Sequence, residues 1–355
     1  MNEVIKVNLE TITPLWTGNA WGENTEIKPQ SIMGALRFWF EVYCHAVGIP
    51  VKNYADEEVK TGKFQESLKS KLKKEIDLGE AEDMALAEQD ISLSSRIFGC
   101  TGWKGQIKIQ NIKTEKDKRF NNYWQDKLNI PGHKGWFFPK KDEWFFGNIE
   151  MSLISKQEII EDIIKPLFNF LQQYGVLGGK NNLGYGRVKF TIGKNNIKEN
   201  VFKFSHFRKR YKENFIKFSD NSISNALEEV FDFTQLLNCK KIGLWKYKKC
   251  NNSVSFKSIM ESLIKYKATQ RVMQKNNNIR HYKFGSTASN DKYYINNLHD
   301  EAHKIPGPNA TKIIPWINKI NDNNYEYGFI SLVGLQNFGI KMQVKVGMKE
   351  KNDEF

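Results

Sequence analysis

Residues 4–15, VIKVNLETITPL, set apolar side chains at Ile5, Val7, Leu9 and Ile12 among polar neighbours. That alternation predicts a strand with one buried face. A polar, glycine-bearing loop follows, WTGNAWGENTEIKP. Then PQSIMGALRFWFEVYCHAV, residues 29–47, brings Ile32, Leu36, Trp39, Phe40, Tyr43 and Val47 onto one face at about 100° per residue. This predicts a helix opened by Pro29 and Ser31. Arg37 falls on the margin of its buried face, near Met33 and Cys44. An arginine so placed reaches a specific acceptor: a carboxylate, a backbone carbonyl or a phosphate.

After the turn SSRIFGCTGW, Ile107, Ile109 and Ile112 predict a second strand, and WFFGNIEMSLI a third. KQEIIEDIIKPLFNFLQQYG predicts a second amphipathic helix with Ile159, Ile160, Ile163, Ile164, Leu167, Phe168 and Leu171 inward, and Pro166 a kink in it. RVKFTI closes the series. The order strand, helix, strands, helix, strand is that of a split βαβ, ferredoxin-like domain, the plan shared by RNA-recognition domains. Residues 56–90 interrupt it with eleven acidic and six basic side chains. Leu68, Leu72 and Ile76 recur there at fours, predicting an exposed helical insertion. A polar stretch near 195–202 divides the chain into domains 1–197 and 198–355.

Between the second helix and RVKFTI lies GGKNNLGYGRVKF, residues 178–190. A Walker or Rossmann loop must run from a strand into a helix, because the helix N-terminus meets the phosphates. Here the glycines follow a helix and precede a strand, and the Lys-Ser/Thr pair is missing. A nucleotide-hydrolysis loop is therefore excluded. An RNA-gripping loop and a tight turn both remain.

Composition narrows the rest. No apolar run is long enough to span a membrane, and MNEVIKVNLETITPLW lacks the layout of a signal peptide, so a cytoplasmic protein is expected. Cys44, Cys100, Cys239 and Cys250 are too scattered for a CxxC site and read as free thiols. His299 and His303 stand at i, i+4, but HDEAH is not HExxH, so neither metal nor cofactor is expected. The net charge of +14 favours a polyanionic partner. It is concentrated: residues 178–219 hold eleven Lys/Arg against two Glu, interleaved with eight aromatics, and residues 265–283 hold six Lys/Arg and no acid. Cations neutralise phosphates and aromatic faces stack on bases, a mixture suited to single-stranded nucleic acid.

TPLWTG after the first strand, SIMGALRFWF on the helix, the IFG turn and GGKNNLGYGRVKF before a strand together resemble the RAMP proteins of CRISPR effectors. Ser31, Ile32, Gly34, Leu36, Arg37, Phe38 and Trp39 are similar to the helix motif of the first Cmr subunit of type III-B complexes. A weak internal echo, FGCT at 98–101 and FGST at 284–287, agrees with that family's two tandem ferredoxin-like, RRM-like domains in an α+β fold. The resemblance implies a non-catalytic subunit of an antiviral, RNA-guided complex. Its partners would be the 3′ region of the guide RNA, the target RNA and the other Cmr subunits, with no membrane.

On that reading Lys180, Asn182, Tyr185 and Arg187 line a groove. Arg37 meets phosphate, anchors the loop or makes a structural salt bridge. Arg96 and Lys104 join from the IFG turn, and Arg271, Lys275, Arg280 and Lys283 extend a basic track. Tyr185 is equally consistent with core packing. The alternative is a metal-independent CRISPR RNA-processing endoribonuclease. It would need a proton shuttle near the 2′-OH, for which His45 and His206 are the candidates.

Overall fold

A computed structural model describes residues 2–18, 26–47, 49, 51–52, 54–114, 119–121, 128–130, 133–136, 143–198, 243–247, 256–275, 277–285, 292–295, 303–306, 311, 313–321 and 324–332. The first strand, β1, runs Asn2–Thr11, and α1 spans Pro29–Val47. An insertion follows with α2 at Thr61–Leu72 and α3 at Leu78–Glu88. The short α4, Leu93–Phe98, leads through the tight hairpin Gly99–Cys100/Trp103–Lys104 to β2, Lys108–Thr114. Then come β3 at Asn148–Lys156, α5 at Lys165–Tyr174, β4 at Val188–Ile192 and β5 at Asn195–Asn196.

These strands form one antiparallel sheet in the order β5-β4-β1-β3-β2. With α1 joining β1 to β2 and α5 joining β3 to β4, the first half has the split βαβ arrangement. The alternation in β1 holds: Val7, Leu9 and Thr11 are buried, while Val4, Lys6 and Glu10 are exposed. Above the buried face lie Leu36, Trp39, Phe40 and Tyr43 of α1 and Leu167, Phe168, Phe170 and Leu171 of α5. Phe168 stacks on Phe190 of β4 with ring centroids 4.3 Å apart.

Pro166 does not break its helix. It lacks an N–H and its ring would crowd the carbonyl four residues back. The turn before it, Ile160–Ile164, is π-helical and wide enough to take the proline. The acidic insertion, expected as one exposed helix, is a helical hairpin. Asp77 caps α3 by accepting from Gly79 N–H at 2.9 Å. The hairpin has a small core of its own, Val59, Leu86 and Ile91, with Phe64, Cys100 and Trp103 against it.

In the second half, β6 at Gly243–Tyr247, β7 at Ile313–Asn321 and β8 at Asn324–Ser331 make an antiparallel sheet in the order β6-β8-β7. The helices α6, Phe256–Met273, and α7, Asn277–Phe284, come between β6 and β7. Ile313 to Ile317 are all buried. A strand covered on both faces has no polar side to show. Ile314, Trp316 and Ile330 join the core of the first half. Pro315 is tolerated because β7 is an edge strand. The expected division at 197/198 borders residues 199–242, which lie outside the described residues.

Candidate functional site

The glycine-rich loop leaves α5 at Gly175 and returns at β4. It is zipped to the segment after β1. Gly179 N–H donates to the Trp16 carbonyl at 2.7 Å, Gly186 N–H to the Pro14 carbonyl at 2.8 Å, and Thr13 Oγ1–H to the Gly184 carbonyl at 2.9 Å. Two glycines are fixed by close approach. A Cβ on Gly186, at φ +86°, would stand 1.9 Å from the Leu177 carbonyl oxygen. One on Gly184, at φ +78°, would meet Met260 of α6 at 2.6 Å and Pro315 of β7 at 3.1 Å. The loop is wedged between the two halves.

Arg187 differs most from expectation. It is fully buried and lines no groove. Its Nη1 donates to the carbonyls of Leu171, at 3.0 Å, and Gly175; Nη2 donates to Gln172, at 2.6 Å, and Gln173; Nε donates to Ile317 of β7 at 3.0 Å. The helix α5 ends in carbonyls without intrahelical partners and a partial negative charge, and a guanidinium answers both. Trp316 lies under it at 5.2 Å and donates its own Nε1–H to the Gln173 carbonyl at 2.8 Å. Burial pulls the Arg187 pKa down to about 9, which leaves it charged at neutral pH. Tyr185 is likewise fully buried, in accord with its core reading.

Lys180 and Asn182 stay at the surface. Lys180 is half-buried at φ +59°, with Nζ 4.7 Å over the Trp16 ring, and burial lowers its pKa to about 8. The Asn182 side chain is exposed, while its backbone carbonyl accepts from Lys267 Nζ at 3.1 Å. Sequence reasoning missed both Trp16 and Lys267. Lys267 is 3% exposed on α6, and burial, then repulsion from Arg271, pulls its pKa down to about 7. Nothing local marks a lysine that is to be buried; its neighbours in 265–283 are equally basic.

A second group surrounds the hairpin after α4. Arg37 donates to the Gly99 carbonyl at 2.6 Å, Ser95 Oγ at 2.7 Å and Glu41 Oε1 at 2.7 Å; the ion pair of its third reading is present, and the carbonyl it holds belongs to this hairpin rather than to the glycine-rich loop. The buried Arg96 donates to the Ile91 carbonyl at 2.7 Å and faces Asp83 at 3.6 Å. Glu57, also buried, accepts from both Ser92 and Ser95. Of this group Lys104 is exposed. A third group lies at α6 and α7: Arg271 bonds the carbonyls that end α7, Lys275 is exposed and Arg280 half-buried. The side chains of Lys283 and His45, and all of His206 and His299, lie outside the described residues. Cys44 is a buried free thiol, and burial pushes its pKa up. Among the described residues no three His, Cys, Asp or Glu side chains gather where a metal could sit, and no helix is long and apolar enough to cross a membrane.

The model of the RAMP superfamily matches residues 8–189, the span that carries both the α1 arginine and the glycine-rich loop. The chain belongs to the RAMP superfamily. No curated protein matches it. Solved structures similar to this RAMP protein include Cmr1 from Pyrococcus furiosus in its apo form, at 12% identity and a TM-score of 0.44, over 93% of this chain and 87% of that one. A chain of the type III-B Cmr-beta complex bound to cognate target RNA and AMPPnP, in the presence of ssDNA, is similar at 12% identity and a TM-score of 0.40, over 99% and 97%. A chain of a type IV-B CRISPR complex follows at 14% and 0.30, over 56% and 93%.

Proposed function

We propose that this RAMP protein is a non-catalytic, RNA-binding subunit of a type III-B, Cmr-type CRISPR effector in the cytoplasm. It would engage the guide RNA 3′ region, the target RNA or both, in antiviral defence. Its two halves, divided near residue 197, are read as tandem ferredoxin-like domains, supported by the strand order of the first sheet.

The observation that carries the reading is the matched span itself, which delivers a glycine-rich loop with two polar side chains at its surface. Lys180 is held over Trp16 and Asn182 is exposed beside it, on a loop clamped on three sides. A lysine held in place loses little conformational freedom when it meets a phosphate. Lys104 and Lys275 are exposed cations of the other two groups. Arg37, Arg96, Arg187 and Arg271, bound to backbone carbonyls, hold these surfaces in shape.

Affinity purification of the tagged chain from cells carrying the other Cmr subunits and a CRISPR array tests this. Guide RNA and those subunits should be recovered with the chain. Recovery of the chain alone would contradict the reading. Discrete cleavage of repeat RNA by the purified chain in EDTA would favour the processing enzyme instead.

A further inference from the structure

The insertion at 56–90 holds eleven acids and six lysines, yet the outer surface of α2 and its turn is basic. Most of the acids are engaged elsewhere. Glu57 accepts from Ser92 and Ser95, Glu82 faces Lys156 at 3.7 Å, Asp83 faces Arg96 at 3.6 Å and Asp90 faces Lys52. Glu88 accepts from Lys71 and Ser67, which ties α3 to α2, and Asp77 caps α3. On α2 and the turn after it, Lys60, Lys63, Lys69, Lys73 and Lys74 are exposed, against exposed Glu66 and Glu75.

Two leucines stand among these lysines. Leu72, the last residue of α2, is 42% exposed, and Leu78, the first of α3, is 53% exposed. Among the described residues, the other large apolar side chains this exposed are Val4 on β1, Phe38 on α1, Val51 before the insertion and Met273 on α6. A single exposed leucine is ordinary; two at one end of a projecting hairpin, ringed by one sign of charge, mark a contact surface. The hairpin presents that end firmly. Its own small core and the Val59 N–H to Thr101 carbonyl bond of 2.9 Å fix its base. A nucleic acid would offer phosphates to the lysines but nothing to the leucines except bases, which stack on aromatic faces. Residues 65–88 contain no aromatic, and Phe64 is turned onto Trp103 at 5.6 Å.

We propose that the end of the α2–α3 hairpin is a protein-docking tip, in which Leu72 and Leu78 enter an apolar groove of a neighbouring subunit while Lys69, Lys73 and Lys74 meet Asp and Glu side chains on its rim. The partner is thus defined by its chemistry: an acidic surface with an apolar centre. Burial of the leucines supplies affinity, and the lysines supply orientation and a faster encounter. That this partner is another subunit of the same complex rests on the functional reading above.

Two measurements on the full chain, purified with the other Cmr subunits, test the tip. A water-soluble carbodiimide joins an amine directly to a carboxylate, so it reports only lysines in contact with acids. Mass spectrometry should find Lys69, Lys73 or Lys74 joined to an Asp or Glu of another subunit. Links from these lysines only to a second copy of this chain, or none from them while other lysines of the chain are linked, overturn the proposal. The double variant Leu72→Ser, Leu78→Ser should recover about tenfold less of the other subunits, with melting and single-stranded RNA affinity as in the wild type. Both side chains are already exposed, so folding does not depend on them. A variant that recovers the subunits fully but loses RNA affinity makes nucleic acid the occupant and overturns the docking tip. A wild-type chain that recovers no subunit overturns the functional reading and this one together. Equal recovery by wild type and variant overturns the tip alone.

Discussion

Arg187 of the glycine-rich loop and Ile317 of β7 are joined across the two halves by an Nε–H···O bond of 3.0 Å. The same guanidinium closes the C-terminus of α5. One side chain thus ties a helix, a loop and the second sheet together. The two halves share a core at Ile314, Trp316 and Ile330, and the loop is part of the joint.

Arg187→Ala should therefore act on stability. It leaves five carbonyls without this donor, in a site that no water reaches readily. The expected loss is about 3–5 kcal/mol, read as a fall in the urea midpoint. Arg187→Lys should recover little of it, because an ammonium cannot match the fork.

Gly186 and Gly193 offer a paired test of close packing. Both have positive φ, +86° and +59°. A Cβ at Gly186 would collide with the Leu177 carbonyl, whereas nothing lies within 4 Å of one at Gly193. Gly193→Ala should cost about 1 kcal/mol from backbone strain alone. Gly186→Ala should cost several-fold more in the same denaturation assay.

Lys267 gives the joint a pH dependence. Its folded pKa, about 7, lies below its ordinary value of 10.5. Between those values the unfolded chain holds the extra proton, so this contribution to stability rises with pH from about 7 to 10.5 and is at its most unfavourable below 7. The slope is at most about 1.4 kcal/mol per pH unit. Lys267→Met removes it. Urea titrations should show Lys267→Met gaining most over wild type near pH 6.5, with the gap narrowing towards pH 9.5.

Lys104→Ala and Lys180→Ala should leave melting nearly unchanged, since Lys104 is exposed and Lys180 half-buried. Each should weaken RNA binding and lower the magnitude of its salt slope by about 1. A drop in affinity with no change of slope would assign them a role other than phosphate contact.

Much of the first half was legible because its signals are local. The alternation in β1, the apolar face of α1 and the place of the glycines between helix and strand each need fewer than twenty residues to read. The basic residues were less legible, because a cation that will cap carbonyls looks in sequence like one that will hold phosphates. Arg187 finds Ile317 at a separation of 130 residues, and Lys267 finds Asn182 at 85. The loop's glycines serve close packing against Leu177, Met260 and Pro315, partners that nothing in the loop's own thirteen residues points to. Pro166 was read as a kink, but the π turn that receives it leaves no trace in composition.

The most direct test of the account is a salt titration of single-stranded RNA binding by the purified full-length chain. The account predicts log affinity falling linearly with log salt, with a slope of about −2 or steeper, as several exposed cations release counterions. Absence of binding at low salt, or an affinity that does not change as salt is raised, would contradict it.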